Sequence, residues 1–347
     1  MPKQKKYPTK LLTKGEISIS NGTKAYLELK EEVTNAGILK RSYGFYVFMV
    51  LLSLTGLLVS IHYILVLPVG LKLAAFSALL GFFAIQFGGL FHDAGHRAIF
   101  KTTENNDFIG HFLSFVMAIP FSNWKTNHNA HHANPNTDDE DPDLIRPLIS
   151  FNEKKYKAQK GIAKFLAKYQ VYTYYPIGVL TLIFFQVSNV FYLPKVYKKV
   201  PWWETAAFLT ALFIWLVAPY LLFPAAKAFF VQIFAYGTAG FYMSNIFAPN
   251  HKGMPQFAKH TKLSFIEHQI VTTRNVNPSF LNDYFYMGLN YQIEHHLFPN
   301  CPRNKLKLIT PYVKKICKKM NLEFTSVGVL ESNRIILSQL KAVVASS

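Results

Sequence analysis

The chain has 347 residues, of which 50% are hydrophobic and only 16% charged, and its formal net charge is +18. This composition excludes an ordinary soluble domain and indicates an integral membrane protein. The lysine excess fits cytosolic loops beside an anionic bilayer, so we expect no nucleic-acid partner.

Long apolar runs predict four transmembrane helices, because about 20 apolar residues cross the hydrocarbon core of a bilayer. They lie at residues 43–66, 71–91, 204–223 and 227–249. A fifth run, about Val171–Leu193, contains Pro176 and Gln186 and has lysines at both ends. If it also crossed, the histidine motifs described below would face opposite sides of the membrane. We therefore expect an interfacial or re-entrant segment there, with both termini cytosolic.

The expected fold is an all-α integral membrane protein. It combines four transmembrane helices, the interfacial or re-entrant segment and a cytosolic helical cap that holds a metal site. Three regions are expected: a basic, cytosolic or interfacial N-terminal segment at residues 1–42, one domain at residues 43–325, and a C-terminal tail at residues 326–347.

Three histidine motifs lie outside the long apolar runs: His92-Asp93-Ala94-Gly95-His96, His128-Asn129-Ala130-His131-His132 and Gln292-Ile293-Glu294-His295-His296. On a helix, positions i, i+3 and i+4 share one face with Cβ atoms about 5–6 Å apart, so all three rings of the central motif can face one metal centre. The motifs contain more histidines than one tetrahedral ion binds, so the sequence predicts two metal ions. Imidazole ligands favour iron, copper or zinc over magnesium or calcium, and a pair of irons commonly activates dioxygen.

These motifs, within the longer run Leu289-Asn290-Tyr291-Gln292-Ile293-Glu294-His295-His296-Leu297-Phe298-Pro299, resemble the membrane-bound fatty acid desaturase superfamily over about residues 40–325. Glutamine at the start of the third motif resembles the front-end acyl desaturase branch. The resemblance implies an enzyme that uses O₂ to introduce a cis double bond into a long acyl chain, on the carboxyl side of an existing double bond.

The resemblance also implies a non-haem centre of two iron ions. Its implied ligands are His92, His96, His128, His131, His132, His251, His295 and His296. Gln292 is implied as a weak or water-mediated ligand.

Other polar residues are assigned supporting roles. Carboxylates expected to accept the second N–H of ligating histidines are Asp93, Glu294 and Asp283, and the acidic run at residues 134–143 supplies further candidates. Arginines expected to hold the phosphates of an acyl-CoA or acyl-lipid substrate are Arg97, Arg146 and Arg274.

The sequence has no His-Pro-Gly-Gly motif typical of a fused cytochrome b5 domain. We therefore expect a separate electron donor: ferredoxin, flavodoxin or a cytochrome with its reductase. This arrangement resembles bacterial enzymes and favours a bacterial cytoplasmic membrane, with the active site cytosolic. The alternatives are an alkyl or lipid hydroxylase of the same superfamily, a membrane zinc hydrolase, and a metal transporter without catalysis.

Overall fold

The computed structural model describes residues 19–144, 149–196 and 200–346, so the predicted headgroup residue Arg146 lies outside the described residues. The α-helices within these ranges are α1 (Ile19–Asn35), α2 (Tyr43–Val66), α3 (Leu71–Gly95), α4 (Thr103–Met117), α5 (Phe121–Ala133), α6 (Glu153–Ala158), α7 (Gly161–Lys168), α8 (Gln170–Gly178), α9 (Thr181–Val196), α10 (Trp202–Leu216), α11 (Ala218–Leu222), α12 (Ala225–His251), α13 (Phe265–Val271), α14 (Phe280–Phe285), α15 (Gln292–Leu297), α16 (Leu306–Met320) and α17 (Val329–Ala345). Two short parallel strands, β1 (Asn275–Val276) and β2 (Ser326–Val327), pair with each other.

The membrane-spanning part begins with the hairpin of α2 and α3. Within the described part of the chain, these two helices are long and apolar enough to cross a bilayer, in agreement with the predicted positions. Residues such as Val47, Phe48 and Leu58 on α2 are exposed, as expected for a lipid-facing surface. Helix α3 is more buried, because it packs against α2, α4 and α12.

The fifth apolar run is bent. Helices α8 and α9 meet at an angle of 78°, the geometry of a broken span or a re-entrant segment. This bend agrees with the expectation that the run at about 171–193 is not a straight transmembrane helix.

The predicted helix at residues 204–223 is interrupted at Val217, which separates α10 from α11. Pro219 lacks the N–H that a continuous helix would bond to the carbonyl of Trp215. The side-chain amide of Gln232 donates instead to the carbonyls of Trp215 and Leu216, at 3.0 and 2.9 Å. The next helix, α12, has 27 residues, more than a span needs, and it ends in the polar residues Asn250 and His251.

Two apolar clusters support the region between the membrane helices and the C-terminal half. The larger cluster joins α2, α3, α4, α5, α9 and α12, with Leu90, Phe121 and Ile246 almost fully buried. The second joins α1, α13, α15 and α16. Both clusters surround the ends of the helices that carry the histidine motifs.

The terminal regions pack into the same unit. Helix α1 contacts α13 and α16. Helix α17 lies against α8 and α12, and its Ile336 and Leu340 are fully buried. Residues expected to form a C-terminal tail therefore contribute one strand and one helix to the fold.

Candidate metal centre

Four helices bring the histidines together at their ends. The first motif occupies the last turn and C-cap of α3, the central motif lies in α5, and the third lies in α15. His251 is the last residue of α12. All eight predicted histidine ligands thus meet in one region, and they form two groups.

Group one contains five histidines whose ring nitrogens lie within 4.8 Å of one another: His92, His96, His128, His132 and His295. The Nε2 atoms of His96 and His128 are 2.8 Å apart, and those of His132 and His295 are 3.2 Å apart. Two ring nitrogens at this separation require a proton or a cation between their lone pairs. The spacing and the all-imidazole donor set fit a transition-metal ion.

Group two contains His131, His251 and His296, again with ring nitrogens within 4.8 Å of one another. The amide nitrogen of Gln292 lies 3.0 Å from Nε2 of His251, so the glutamine stands beside this group. Nε2 of His296 is buried and has no hydrogen-bond partner among the described residues. A buried polar atom without a partner costs about 1–3 kcal/mol, and a bound cation would satisfy it. Group two therefore also fits a metal ion.

The structure corrects one detail of the central motif. His128 and His132, at i and i+4, belong to group one, whereas His131 belongs to group two. The three rings therefore do not face a single centre, because His131 lies with His251 and His296, whereas His128 and His132 lie with the first motif and His295.

Each group is oriented by hydrogen bonds to the second ring nitrogen. Nδ1 of His92 lies 3.3 Å from Asp93 Oδ1, and Nδ1 of His131 lies 2.9 Å from Asp141 Oδ1. Nδ1 of His296 lies 2.8 Å from Gln269 Oε1. Nδ1 of His251 lies 3.3 Å from the Thr272 carbonyl. In His92, His131 and His296 the contact through Nδ1 leaves Nε2 available to a metal ion, whereas Nε2 of His251 also lies beside the Gln292 amide.

Among the described residues, Asp93 therefore lies against a predicted ligand ring, whereas Glu294 and Asp283 do not. Glu294 accepts a hydrogen bond from Asn275 Nδ2 at 2.7 Å. Asp283 accepts hydrogen bonds from Asn290 and Tyr291. Both carboxylates hold the segments that lead into the third motif, and neither bonds to a ligand ring in the described part of the chain.

Two supporting residues could not be chosen from sequence. Asp141 lies in the acidic run that supplied candidates without singling one out. Gln269 on α13 had no signal at all, because it is a single amide outside the motifs. Its side chain contacts both histidine groups, since Oε1 lies beside His296 of group two and Nε2 donates to the carbonyl of His132 of group one at 3.0 Å.

Burial and neighbouring imidazoles favour the neutral, ligating form of most rings. Burial is the main cause that lowers the pKa of His96, His128, His132, His295 and His296 well below the usual value, and the nearby rings add to it.

His131 differs from the other rings. Burial disfavours its charged form, but the carboxylates of Asp141 and Asp143 outweigh burial and raise the pKa of His131. Burial alone would raise the pKa of Asp141, but His131 beside it holds that pKa well below its usual range.

An apolar cavity of about 130 Å³ opens beside group two. Its polar end is formed by His131, His251, Asp143 and Lys252. Its walls come from α8, α9, α12 and the segment before α6, and they include Ile149, Tyr174, Ile177, Phe184, Met243 and Phe247. An apolar cavity of similar size holds a benzene ring, so this one has room for several methylene groups.

Comparison with known proteins identifies the family. The fatty acid desaturase family profile matches residues 68–328, which include all eight histidines. The chain belongs to the fatty acid desaturase family.

Relatives of this chain are named as fatty acid desaturases. The Delta(6)-fatty-acid desaturase fat-3 of Caenorhabditis elegans is 29% identical, over 94% of this chain and 77% of the relative. The Delta(8)-fatty-acid desaturase 1 of Arabidopsis thaliana is 31% identical, over 76% of this chain and 62% of the relative. The acyl-lipid (9-3)-desaturase of Borago officinalis is 29% identical, over 94% of this chain and 76% of the relative. These organisms are eukaryotes, so the comparisons give no support to the expected bacterial origin.

The predicted headgroup arginines occupy different environments in this desaturase. Arg97 is exposed, directly after the first motif. Arg274 is fully buried, and its guanidinium donates to the carbonyls of Lys252 at 2.7 Å and Ser332 at 3.4 Å. The prediction for Arg274 is wrong, because this side chain links α17 to the end of α12 inside the protein.

Proposed function

We propose that this desaturase is a front-end enzyme that introduces a cis double bond between an existing double bond and the carboxyl end of a long acyl chain. One observation carries the proposal: two groups of largely buried histidines lie together, and His131 and His251 of group two line an apolar cavity. The names of the relatives and the glutamine of the third motif support front-end regiochemistry.

The two histidine groups would each hold one iron ion. When bound, the irons would supply the oxidising chemistry by which dioxygen removes two hydrogens from neighbouring methylenes. The protein excludes water and keeps the ligands in place, since the rings are largely buried and their Nδ1 atoms are fixed by Asp93, Asp141, Gln269 and Thr272. Gln292 would act beside the iron of group two, directly or through water.

The acyl chain would occupy the cavity between α9 and α12. Its apolar part would lie along Phe184, Met243 and Phe247, where water is disfavoured. The segment that reacts would lie at the polar end, beside His131 and His251. The headgroup, whether a coenzyme A thioester or a phospholipid, would then extend towards the basic surface that includes Arg97.

The membrane arrangement follows from the position of the histidines. All eight lie together, so the chain between the central and third motifs must return to the side from which it started. Four spans satisfy this condition if α2, α3, the pair α10–α11 and α12 cross and the bent pair α8–α9 re-enters. Both termini, the helical cap and the iron centre would then be cytosolic. A tag at residue 347 and one in the loop at 134–143 should be accessible from the same side, and opposite accessibility would exclude this topology.

Electrons would come from a separate carrier, such as a ferredoxin, a flavodoxin or a cytochrome with its reductase. Reconstitution of the purified chain with each carrier in turn tests this. Turnover with NAD(P)H and a reductase in the absence of any carrier would contradict it.

The decisive experiment is expression in a host that lacks polyunsaturated fatty acids, fed oleic and linoleic acids with a compatible electron donor. Gas chromatography–mass spectrometry would locate new double bonds, and His132→Ala would be the matched inactive control. A new double bond on the carboxyl side of an existing one, absent in the control, is the expected result. A hydroxylated product would instead assign the chain to the lipid hydroxylases, and a double bond on the methyl side would refute front-end regiochemistry.

A further inference from the structure

A buried arginine from the segment after the third motif lies behind the first motif. Arg303 begins a short 3₁₀ helix, Arg303–Lys305, and its side chain is only 4% exposed. Its Nε lies 3.2 Å from Oδ2 of Asp93. The other oxygen of Asp93, Oδ1, lies 3.3 Å from Nδ1 of His92. A continuous contact therefore runs from Arg303 through Asp93 to a ligand of group one.

Two glycines leave the space that Arg303 occupies. A Cβ atom at Gly89 on α3 would lie 2.3 Å from Nη1 of Arg303. At Gly288, where φ is +78°, a Cβ atom would lie 2.8 Å from Cβ of Arg303. A side chain at Gly89 would also meet Sδ of Met287 at 2.3 Å, so a larger residue at either position requires Arg303 to move, and at Gly89 Met287 as well.

Arg303 and Asp93 are the two partners of one buried ion pair. Among the described residues, Asp93 is the only carboxylate within 4.0 Å of the Arg303 guanidinium. Within the same residues, Nε and both Nη atoms of Arg303 and Oδ2 of Asp93 have no hydrogen-bond partner, so the contact between the two side chains is an ion pair without an aligned hydrogen bond. A buried charge without a counter-ion is strongly unfavourable, so each of these two side chains fixes the other.

We propose that Arg303 is a positioning residue for the metal ion of group one. It holds Asp93 in one orientation, and Asp93 in turn orients His92 so that Nε2 faces the metal. Through Arg303, the segment after the third histidine motif thereby fixes the geometry of the first histidine motif. This inference rests on the proposed function only in requiring that group one bind a metal ion.

Binding of Co²⁺ to the metal-free full-length protein in detergent tests the proposal, because its affinity and its visible absorption bands report the ligand geometry without turnover. Arg303→Met should weaken binding of one of the two ions about 10- to 100-fold and change its absorption bands. Arg303→Lys should bind almost as the wild type does, because the ion pair involves Nε, a position that a lysine ammonium can reach.

Comparison with Asp93→Asn separates a positioning role from a structural one. If Arg303 acts through Asp93, Asp93→Asn and the double variant Asp93→Asn/Arg303→Met should bind Co²⁺ equally within about twofold. This comparison remains valid even if Arg303→Met alone does not fold. The matched control is Arg274→Met, which removes another buried arginine that contacts carbonyls instead of Asp93. The losses of Co²⁺ affinity caused by Arg274→Met and by Asp93→Asn should therefore multiply in the double variant.

Two results would overturn the proposal: wild-type Co²⁺ affinity and absorption in Arg303→Met, or a further loss of tenfold or more when Arg303→Met is added to Asp93→Asn. The outcome is independent of product identity. A wild-type protein that binds two ions but makes no front-end product would refute the proposed function and leave the role of Arg303 unaffected.

Discussion

Asp141→Asn removes the charge next to His131 with almost no change in side-chain size. In the structure, the Asp141 carboxylate accepts three hydrogen bonds: from His131 Nδ1 at 2.9 Å, from the N–H of Asn136 at 2.8 Å and from the N–H of Asp143 at 2.8 Å. Oδ1 receives two of these bonds and Oδ2 the third. Asparagine has one acceptor oxygen, so its NH₂ group must face at least one of the donors.

The size of the effect follows from this arrangement. One buried donor left without an acceptor should lower the free energy of unfolding by about 1–3 kcal/mol. Loss of a partner that orients a ligating histidine typically lowers metal affinity about 10- to 100-fold, equivalent to about 1.4–2.8 kcal/mol. Because His131 belongs to group two, only one of the two ions should be affected.

Iron content after dialysis against a graded series of chelator concentrations measures this effect, and thermal unfolding in detergent measures the change in stability. Asp139→Asn is the matched control, because Asp139 lies in the same loop, has a side chain that is 61% exposed, and forms only a surface ion pair with Lys154. If Asp141→Asn kept both irons at the same chelator concentrations as the control, the inferred role of Asp141 would be wrong.

Three further predictions concern the cavity, pH and the third motif. Met243→Trp should overpack the cavity and lower activity on long acyl chains about tenfold or more. The control Ile233→Trp, on the exposed face of the same helix, should leave activity unchanged. Product yields measured by gas chromatography test both expectations. Because the pKa of His131 is raised, its ion pair with Asp141 stabilises the metal-free protein fully below about pH 6.5. This stabilisation is lost as the pH rises through the raised pKa. The difference in melting temperature between the wild type and Asp141→Asn should therefore be larger at about pH 6 than at about pH 9. Gln292→His should retain two irons per chain by elemental analysis, because the side chain stands beside His251, and complete loss of metal would show that the amide itself is required.

The sequence by itself determined the class of protein and most of the histidines that the structure brings together. Apolar runs are local features, and so is the i, i+4 spacing that places His92 with His96 and His128 with His132 on common helix faces. His251 came only from family resemblance, because a single histidine at a helix end has no distinguishing pattern. The first two spans were predicted correctly for the same reason, since their length and composition suffice.

Only the tertiary structure decided how the ligands are divided and supported. His131 lies one position from His132 but belongs to the other group, because the partners of each ring come from helices distant in sequence. Gln269 and Asp141 acquire their roles from the packing of α13 and the acidic loop against α5. Arg274 and Arg303 resemble cytosolic surface charge in the sequence, yet both are buried. Burial of a charged side chain depends on a partner supplied by another part of the chain, and no local pattern of residues specifies that partner.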